Sequence, residues 1–209
     1  MKVSIVKYNA GNIFSVINAV KRLGIEPLLT DDREELMSSD KVIFPGQGEA
    51  SNAMAYLKER NLDQVIRDLR QPVLGICIGQ QLLCSHSEEG DTECIGVFPM
   101  EVKRFVPVNH EDKIPQMGWN QLLHLSKEGR PVSPLLQGLN EGDFVYFVHS
   151  YYVPLHEDYT IATTNFTLDY SAAIQMDNFF ATQFHPEKSG RVGERILKNF
   201  LDIEAPSLP

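Results

Sequence analysis

Long apolar runs are missing from this 209-residue sequence, and without about 18 consecutive apolar residues no membrane-spanning helix is expected. Basic clusters are missing too. A formal net charge of −9 with no Lys/Arg-rich run makes a nucleic-acid backbone or an anionic membrane a poor partner. A small molecule or another protein fits that balance better. Cysteine is scarce: three residues, Cys77, Cys84 and Cys94, an odd number without Cys-x-x-Cys spacing. That pattern gives neither a disulfide framework nor a zinc site, so the expected compartment is a reducing cytoplasm and the expected metal is none. The opening "MKVSIVKYNAGN" reads as a first strand and lacks the longer apolar core and small-residue cleavage site of a signal peptide. Repeats and low-complexity tracts are also absent.

What is there is an ordinary globular mix, 43% hydrophobic and 22% charged, long enough to bury a core without staples. We expect one domain over residues 1–203, followed by a loose tail at 204–209. "VSIVKY" reads as a strand, and "IFSVINAVKRLG" follows with apolar residues at Ile13, Val16, Ile17, Val20 and Leu23, a helical period closed by Gly24. The alternation repeats in "EPLLT" and "DDREELMSS", in "KVIFPGQGEA" and the helical "AMAYLKERNLDQVIRDLR", and in "PVLGICI" and "GQQLLCSHS". Such βα repetition predicts an α/β fold with a central, mostly parallel sheet and helices on both faces. Sites in such sheets form at the carboxyl ends of the strands. From about residue 95 shorter pieces, "IGVFPMEVKRF", "GWNQLLHL", "FVYFVHSYYV", "YTIATTNF", "SAAIQM" and "FFATQF", add antiparallel strands. "RVGERILKNFLDI" closes the chain as an amphipathic helix.

Chemistry concentrates in "QPVLGICIGQQLL", residues 71 to 83. A cysteine inside an apolar run is, taken alone, most often an inert core thiol. Gly75-Ile76-Cys77-Ile78-Gly79, however, has the form of a nucleophile elbow with cysteine in place of serine. A sharp strand-to-helix turn of that kind needs residues without bulk two positions either side of a strained nucleophile. The free amides of a helix start then favour thiolate over thiol.

A thiol nucleophile needs a base and a group that orients it. "FFATQFHPEKSG" offers His185 and Glu187. In an extended chain i and i+2 share a side, so Glu187 would hold one ring nitrogen while the other faces Cys77. By itself His-Pro-Glu is compatible with a surface turn. "FPGQGEA" supplies a Gly-x-Gly turn whose N–H groups, with the amide of Ile78, suit a developing oxyanion. By itself it is an ordinary strand–helix connection, and no Gly-Lys-Ser/Thr follows to make it a phosphate loop.

Together and in this order, "PGQG", Cys77 in "GICIGQQ" and "QFHPE" resemble the class I (triad) glutamine amidotransferases. "YNAGN", "PQMGWN" and "YFVHSYY" narrow the resemblance to the glutaminase subunits of imidazole glycerol phosphate synthases, enzymes of histidine biosynthesis, over essentially the whole chain. The resemblance implies a three-layer flavodoxin-like amidotransferase fold, glutamine as substrate, no cofactor, and a heterodimer in which the partner is a (β/α)8-barrel cyclase. It implies Cys77 as nucleophile, His185 as base then acid, and Glu187 as its orienter. Glutamine would be held by Gly46, Gly48, Gln81 and Glu89, with backbone groups of Ser150 and Tyr151. Gln47 would supply an oxyanion amide, alongside Ile78, after the loop adjusts.

Three positions depart from the family pattern. Lys7 stands where an acidic or neutral polar residue is usual, Gln47 where a small apolar one is, and Gln80 where Met or Leu is. Asn12, Trp119, Asn120 and Tyr146 are the candidates for the docking face; Trp119 and Tyr146 also suit a core, Asn12 a helix N-cap, and His149 a buried structural role. Three other readings stay open here: another glutaminase of the same class, serving pyridoxal phosphate, GMP or anthranilate synthesis; a catalytically silent protein of this fold; and a stand-alone cysteine peptidase.

Overall fold

The computed structural model describes residues 1–9, 11, 13–125 and 131–204. Asn12 and most of the expected tail, residues 205–209, lie outside the described residues. The first half alternates as the apolar periods predict: β1 (Val3–Val6), α1 (Ile13–Arg22), β2 (Leu28–Thr30), α2 (Arg33–Met37), β3 (Lys41–Phe44), α3 (Ala50–Glu59), α4 (Leu62–Asp68), β4 (Val73–Ile76) and α5 (Ile78–Leu83). Local chemistry sets the ends. Gly24, with φ +84°, takes the left-handed conformation that stops α1, and the Asp32 carboxylate caps α2 by accepting the N–H of Glu35 at 2.9 Å.

Two helical stretches differ from the expected ones. The run expected as one helix over 53–70 is broken at Asn61, where φ is +56°, a conformation asparagine tolerates better than most residues. The break lets Leu62, Val65 and Ile66 bury on an axis of their own. The helix expected over 79–87 stops at Leu83. Beyond it the carbonyls of Cys84 and Ser85 accept from Gly96 and Cys94 at 2.8 and 3.0 Å, so the chain leaves helical geometry to enter a small sheet.

The second half supplies β5 (His86–Ser87), β6 (Thr92–Glu93), β7 (Glu101–Arg104), β8 (Gln116–Gln121), β9 (Phe144–His149), β10 (Tyr151–Tyr152), β11 (Thr160–Asn165), β12 (Asp169–Met176), β13 (Phe179–Thr182) and the closing helix α6 (Gly190–Asp202). The main sheet runs β11-β12-β13-β4-β3-β1-β2, parallel from β13 to β2 and antiparallel across β11, β12 and β13. Period-two alternation divides its side chains. Val42, Phe44 and Val73 pack with α3 and α4 on one face, while Ile5, Ile43 and Leu74 pack with α1 and α6 on the other. Both faces are therefore covered, and what remains open is the rim at the carboxyl ends of β3, β4 and β13.

Gln80 is the one departure with a visible energetic consequence. Its side chain is wholly buried, yet neither its amide nitrogen nor its oxygen has a hydrogen-bond partner among the described residues. Unpaired buried polar groups are destabilising by about 1–3 kcal/mol. Gln80→Leu, of similar volume, is therefore expected to raise stability by about that amount, read as a higher urea midpoint at unchanged slope. An unchanged or lower midpoint would refute it.

Candidate active site

Cys77 joins β4 to α5 with φ +55° and ψ −109°, a backbone conformation that side-chain-bearing residues avoid and that persists where surrounding structure enforces it. The enforcement is visible. The Cys77 N–H donates to the Thr182 carbonyl at 2.8 Å, and the Cys77 carbonyl accepts the N–H of Gln80 at 3.0 Å. Gly79 lies so close to β3 that a Cβ there would sit 2.0 Å from the Phe44 carbonyl oxygen. Cys77 is buried, 6% exposed, but it lines a cavity of about 330 Å³. Cys84 and Cys94 contrast with it: both are buried away from the cavity, and burial pushes the Cys84 thiol far up and the Cys94 thiol to about 12.

His185 follows β13 and donates its main-chain N–H to the Tyr146 carbonyl at 2.9 Å. Its ring nitrogen Nδ1 lies 2.7 Å from Glu187 Oε1, and both side chains are 2% exposed. The extended chain expected here is instead a tight 3-10 turn, Pro186–Lys188, started by the proline. The turn, rather than strand alternation, brings carboxylate to imidazole. The other ring nitrogen, Nε2, is buried without an oxygen or nitrogen partner. Burial alone would lower the imidazole pKa, but a Cys77 thiolate and the Glu187 carboxylate outweigh it and push it up to about 10. At neutral pH the His185 ring beside Cys77 thus carries its proton.

Gly46, Gln47 and Gly48 form the loop after β3. Gln47 and Gly48 line the cavity, whereas Gly46 is packed beneath, where a Cβ would meet the Tyr8 hydroxyl at 2.0 Å and Ile78 at 2.2 Å. The Tyr8 hydroxyl donates to the Pro45 carbonyl at 2.5 Å, and Gly11 N–H to the Gln47 carbonyl at 2.9 Å, so the loop hangs on the segment after β1. Ile78, Gln81, Glu89, Ser150 and Tyr151 complete the wall with Pro115, Val148 and His149. Burial raises the Glu89 carboxyl above its usual range, opposed by the Ala50 N–H that it accepts at 2.8 Å.

His149 is buried, with Nδ1 donating to the Tyr151 carbonyl at 2.7 Å and Nε2 3.0 Å from the Tyr170 hydroxyl. Burial lowers its pKa to about 4, which keeps the ring neutral. Of the docking candidates, Trp119 is 56% exposed and meets the half-buried Tyr146 ring edge to face at 6.0 Å. The Asn120 amide is tied to its own chain, donating to the Asn165 carbonyl at 2.7 Å. Exposed Met117 and Phe144 extend the same β8–β9 ribbon. Pro115, Val148 and Gln183 went unassigned in the sequence. Only strand pairing brings them to the cavity or the sulfur, and the one local hint was Gln183 lying two residues before His185.

Residues 5–203 match the family described as glutamine amidotransferase class-I. The imidazole glycerol phosphate synthase subunit HisH of Bacteroides thetaiotaomicron is 58% identical over 203 residues, covering 97% of this chain and 100% of that one. The chain belongs to the HisH family of class-I glutamine amidotransferases. A more distant HisH, from Idiomarina loihiensis, is 43% identical over 97% of this chain and 98% of its own. Solved structures agree on the amidotransferase fold: a putative GMP synthase protein from Thermoplasma acidophilum superposes with a TM-score of 0.72 at 21% identity, covering 96% of this chain and 92% of that one. The PurLQS structure from Thermotoga maritima gives 0.63 at 17% identity, over 96% and 97%. Among the described residues no helix is long and apolar enough to cross a membrane.

Proposed function

We propose that this HisH-family chain hydrolyses glutamine through Cys77, His185 and Glu187 and delivers the ammonia to a (β/α)8-barrel cyclase subunit that makes imidazole glycerol phosphate. The observation that carries the reading is the His185–Glu187 pair, 2.7 Å apart and sealed from solvent, beside a cysteine strained into the cavity wall. The Cys77 thiolate attacks the carboxamide carbon of glutamine. The oxyanion that forms faces the amides of Ile78 and, once its loop adjusts, Gln47. His185 Nε2 gives its proton to the departing nitrogen, ammonia leaves, and a glutamyl thioester remains. The same nitrogen then takes a proton from water, which attacks the thioester carbon and frees glutamate and thiolate. Glu89 offers the substrate's α-ammonium a carboxylate, and Gly48, Gln81, Ser150 and Tyr151 supply polar groups along the wall.

A synthase uses only neutral ammonia, and bulk water at neutral pH protonates most of it. That requirement argues for a partner sealed over the site, and both HisH relatives are named as subunits of a synthase. Trp119, Met117 and Phe144 form an exposed apolar ribbon whose strand β9 also carries Tyr146, bonded through its carbonyl to His185 N–H. Aromatic anchors of this kind dominate interface energetics. The test is glutamate release from glutamine by the chain alone and with a cyclase subunit bearing its nucleotide substrate, with Cys77→Ala as control. Weak release alone, strong release in the complex and none in the variant are expected; no release from the complex would overturn the reading.

A further inference from the structure

Beneath the cavity, buried polar side chains form one directed line of hydrogen bonds, and a main-chain carbonyl sets its direction. The Tyr151 oxygen can only accept. It takes a carboxamide N–H of Gln81 at 3.1 Å, besides the His149 Nδ1–H at 2.7 Å. The Gln81 nitrogen carries two hydrogens, and the second goes to Gln183 Oε1 at 3.0 Å. With its oxygen turned to Gln81, the Gln183 carboxamide has its nitrogen on the other side, 3.7 Å from the Cys77 sulfur. Turning the Gln183 amide half a turn would set nitrogen against nitrogen at Gln81 and oxygen against sulfur. Turning Gln81 would set its oxygen against the Tyr151 carbonyl. Both alternatives leave buried groups unpaired, and Gln183 is wholly buried, so water does not rescue them.

We propose that Gln183 is the thiolate-stabilising donor of this site, aimed at the Cys77 sulfur by Gln81 and the Tyr151 carbonyl. Sheet register places it there. β13 pairs with β4 in parallel, Thr182 opposite Ile76, so Gln183 and Cys77 are each the next residue beyond a paired position. A fixed N–H directed at sulfur favours the charged form over the thiol, and a buried setting strengthens that preference. A further consequence rests on the glutaminase reading: Gln81 touches both the substrate cavity and Gln183, so glutamine binding and thiolate stabilisation share one amide.

The experiment is the pH–rate profile of Cys77 alkylation by iodoacetamide, followed by mass spectrometry of the Cys77 peptide, in the full chain and in Gln183→Met and Gln183→Glu. Methionine keeps the volume and removes the donor. Alkylation at pH 7 is expected to slow about tenfold with its midpoint moved to higher pH, and glutamate, which turns a carboxylate on the sulfur, slows it further. For glutamine turnover kcat falls and KM moves little. A folded Gln183→Met chain with the wild-type alkylation profile overturns the proposal. Should that variant not fold, the wild-type chain decides by NMR: the Gln183 side-chain amide protons are expected to shift with the midpoint of Cys77 alkylation, and a signal indifferent to that titration overturns the proposal. Alkylation needs no turnover. Shifted profiles in a chain that never hydrolyses glutamine would therefore refute the glutaminase reading and leave the Gln183 donor standing.

Discussion

His185→Ala is expected to lower glutamine hydrolysis by at least about 10³-fold while leaving the chain folded, because in the proposed mechanism one imidazole serves both proton transfers. Leaving-group protonation is the step that suffers most. Ammonia departs from a tetrahedral carbon only once its nitrogen is protonated, and Nε2 is the buried, otherwise unpaired donor beside the sulfur. Glu187→Gln is expected to be milder, about 10²-fold, since the ring and the intrinsically nucleophilic sulfur remain. Its more telling effect is on pH. The wild-type imidazole holds its proton up to about 10 because the thiolate and the Glu187 carboxylate favour the charged ring over the opposing effect of burial. The alkaline fall of kcat/KM, which reports groups of the free enzyme, is therefore expected near pH 10. Removing the carboxylate charge weakens the hold on the proton, so the fall moves to lower pH in Glu187→Gln. Steady-state profiles of the complex between pH 6 and 11 check this, and an alkaline limb unmoved by the substitution would show that Glu187 does not act on the ring.

How much of this site could be read from residues alone depended on how local each constraint is. The elbow was legible because the constraint is written into five consecutive residues: glycine at 75 and 79 flanks a cysteine at a strand end, and both positions meet atoms within 3.0 Å when a Cβ is added. The βα order was legible for the same reason, each apolar period spanning one element. His185 and Glu187 were legible as a pair but not as a geometry. Alternation along a strand was expected to join them, and a proline-started turn does so instead. For Gln183 only its place two residues before His185 was legible, not its role. Its role depends on which strand lies beside β4 and on the direction of hydrogen bonds passing through Gln81 and Tyr151, contacts that span 70 to 106 residues of sequence. The break at Asn61 was missed because a tolerated left-handed asparagine leaves the apolar period on either side intact.

Gly79→Ala, the smallest substitution in the elbow, is expected to destabilise the chain by about 3 kcal/mol or more and to abolish activity in whatever remains folded. The new methyl would lie 2.0 Å from the Phe44 carbonyl oxygen and 3.2 Å from its carbon, backbone atoms of a central strand with no rotamer to change. Relief requires α5 and β3 to part by more than an ångström, and functional atoms ride on both. β3 runs directly into Pro45–Gly48, the loop expected to bind the oxyanion, while α5 begins at the residue after Cys77, the proposed nucleophile. One displacement thus misplaces the sulfur and the proposed oxyanion donors together, which accounts for an activity loss beyond that due to unfolding. Gly24→Ala separates this clash from backbone strain. Gly24 has φ +84° and no atom within 4 Å of an added Cβ, so alanine there adds strain of about 1–2 kcal/mol and leaves turnover of the folded chain unchanged. Urea unfolding and glutamate release, measured on both variants, distinguish the two mechanisms. A Gly79→Ala chain as stable and active as Gly24→Ala would mean that α5 slides on β3 without harm, and the close approach would then not be what holds Cys77 at the cavity.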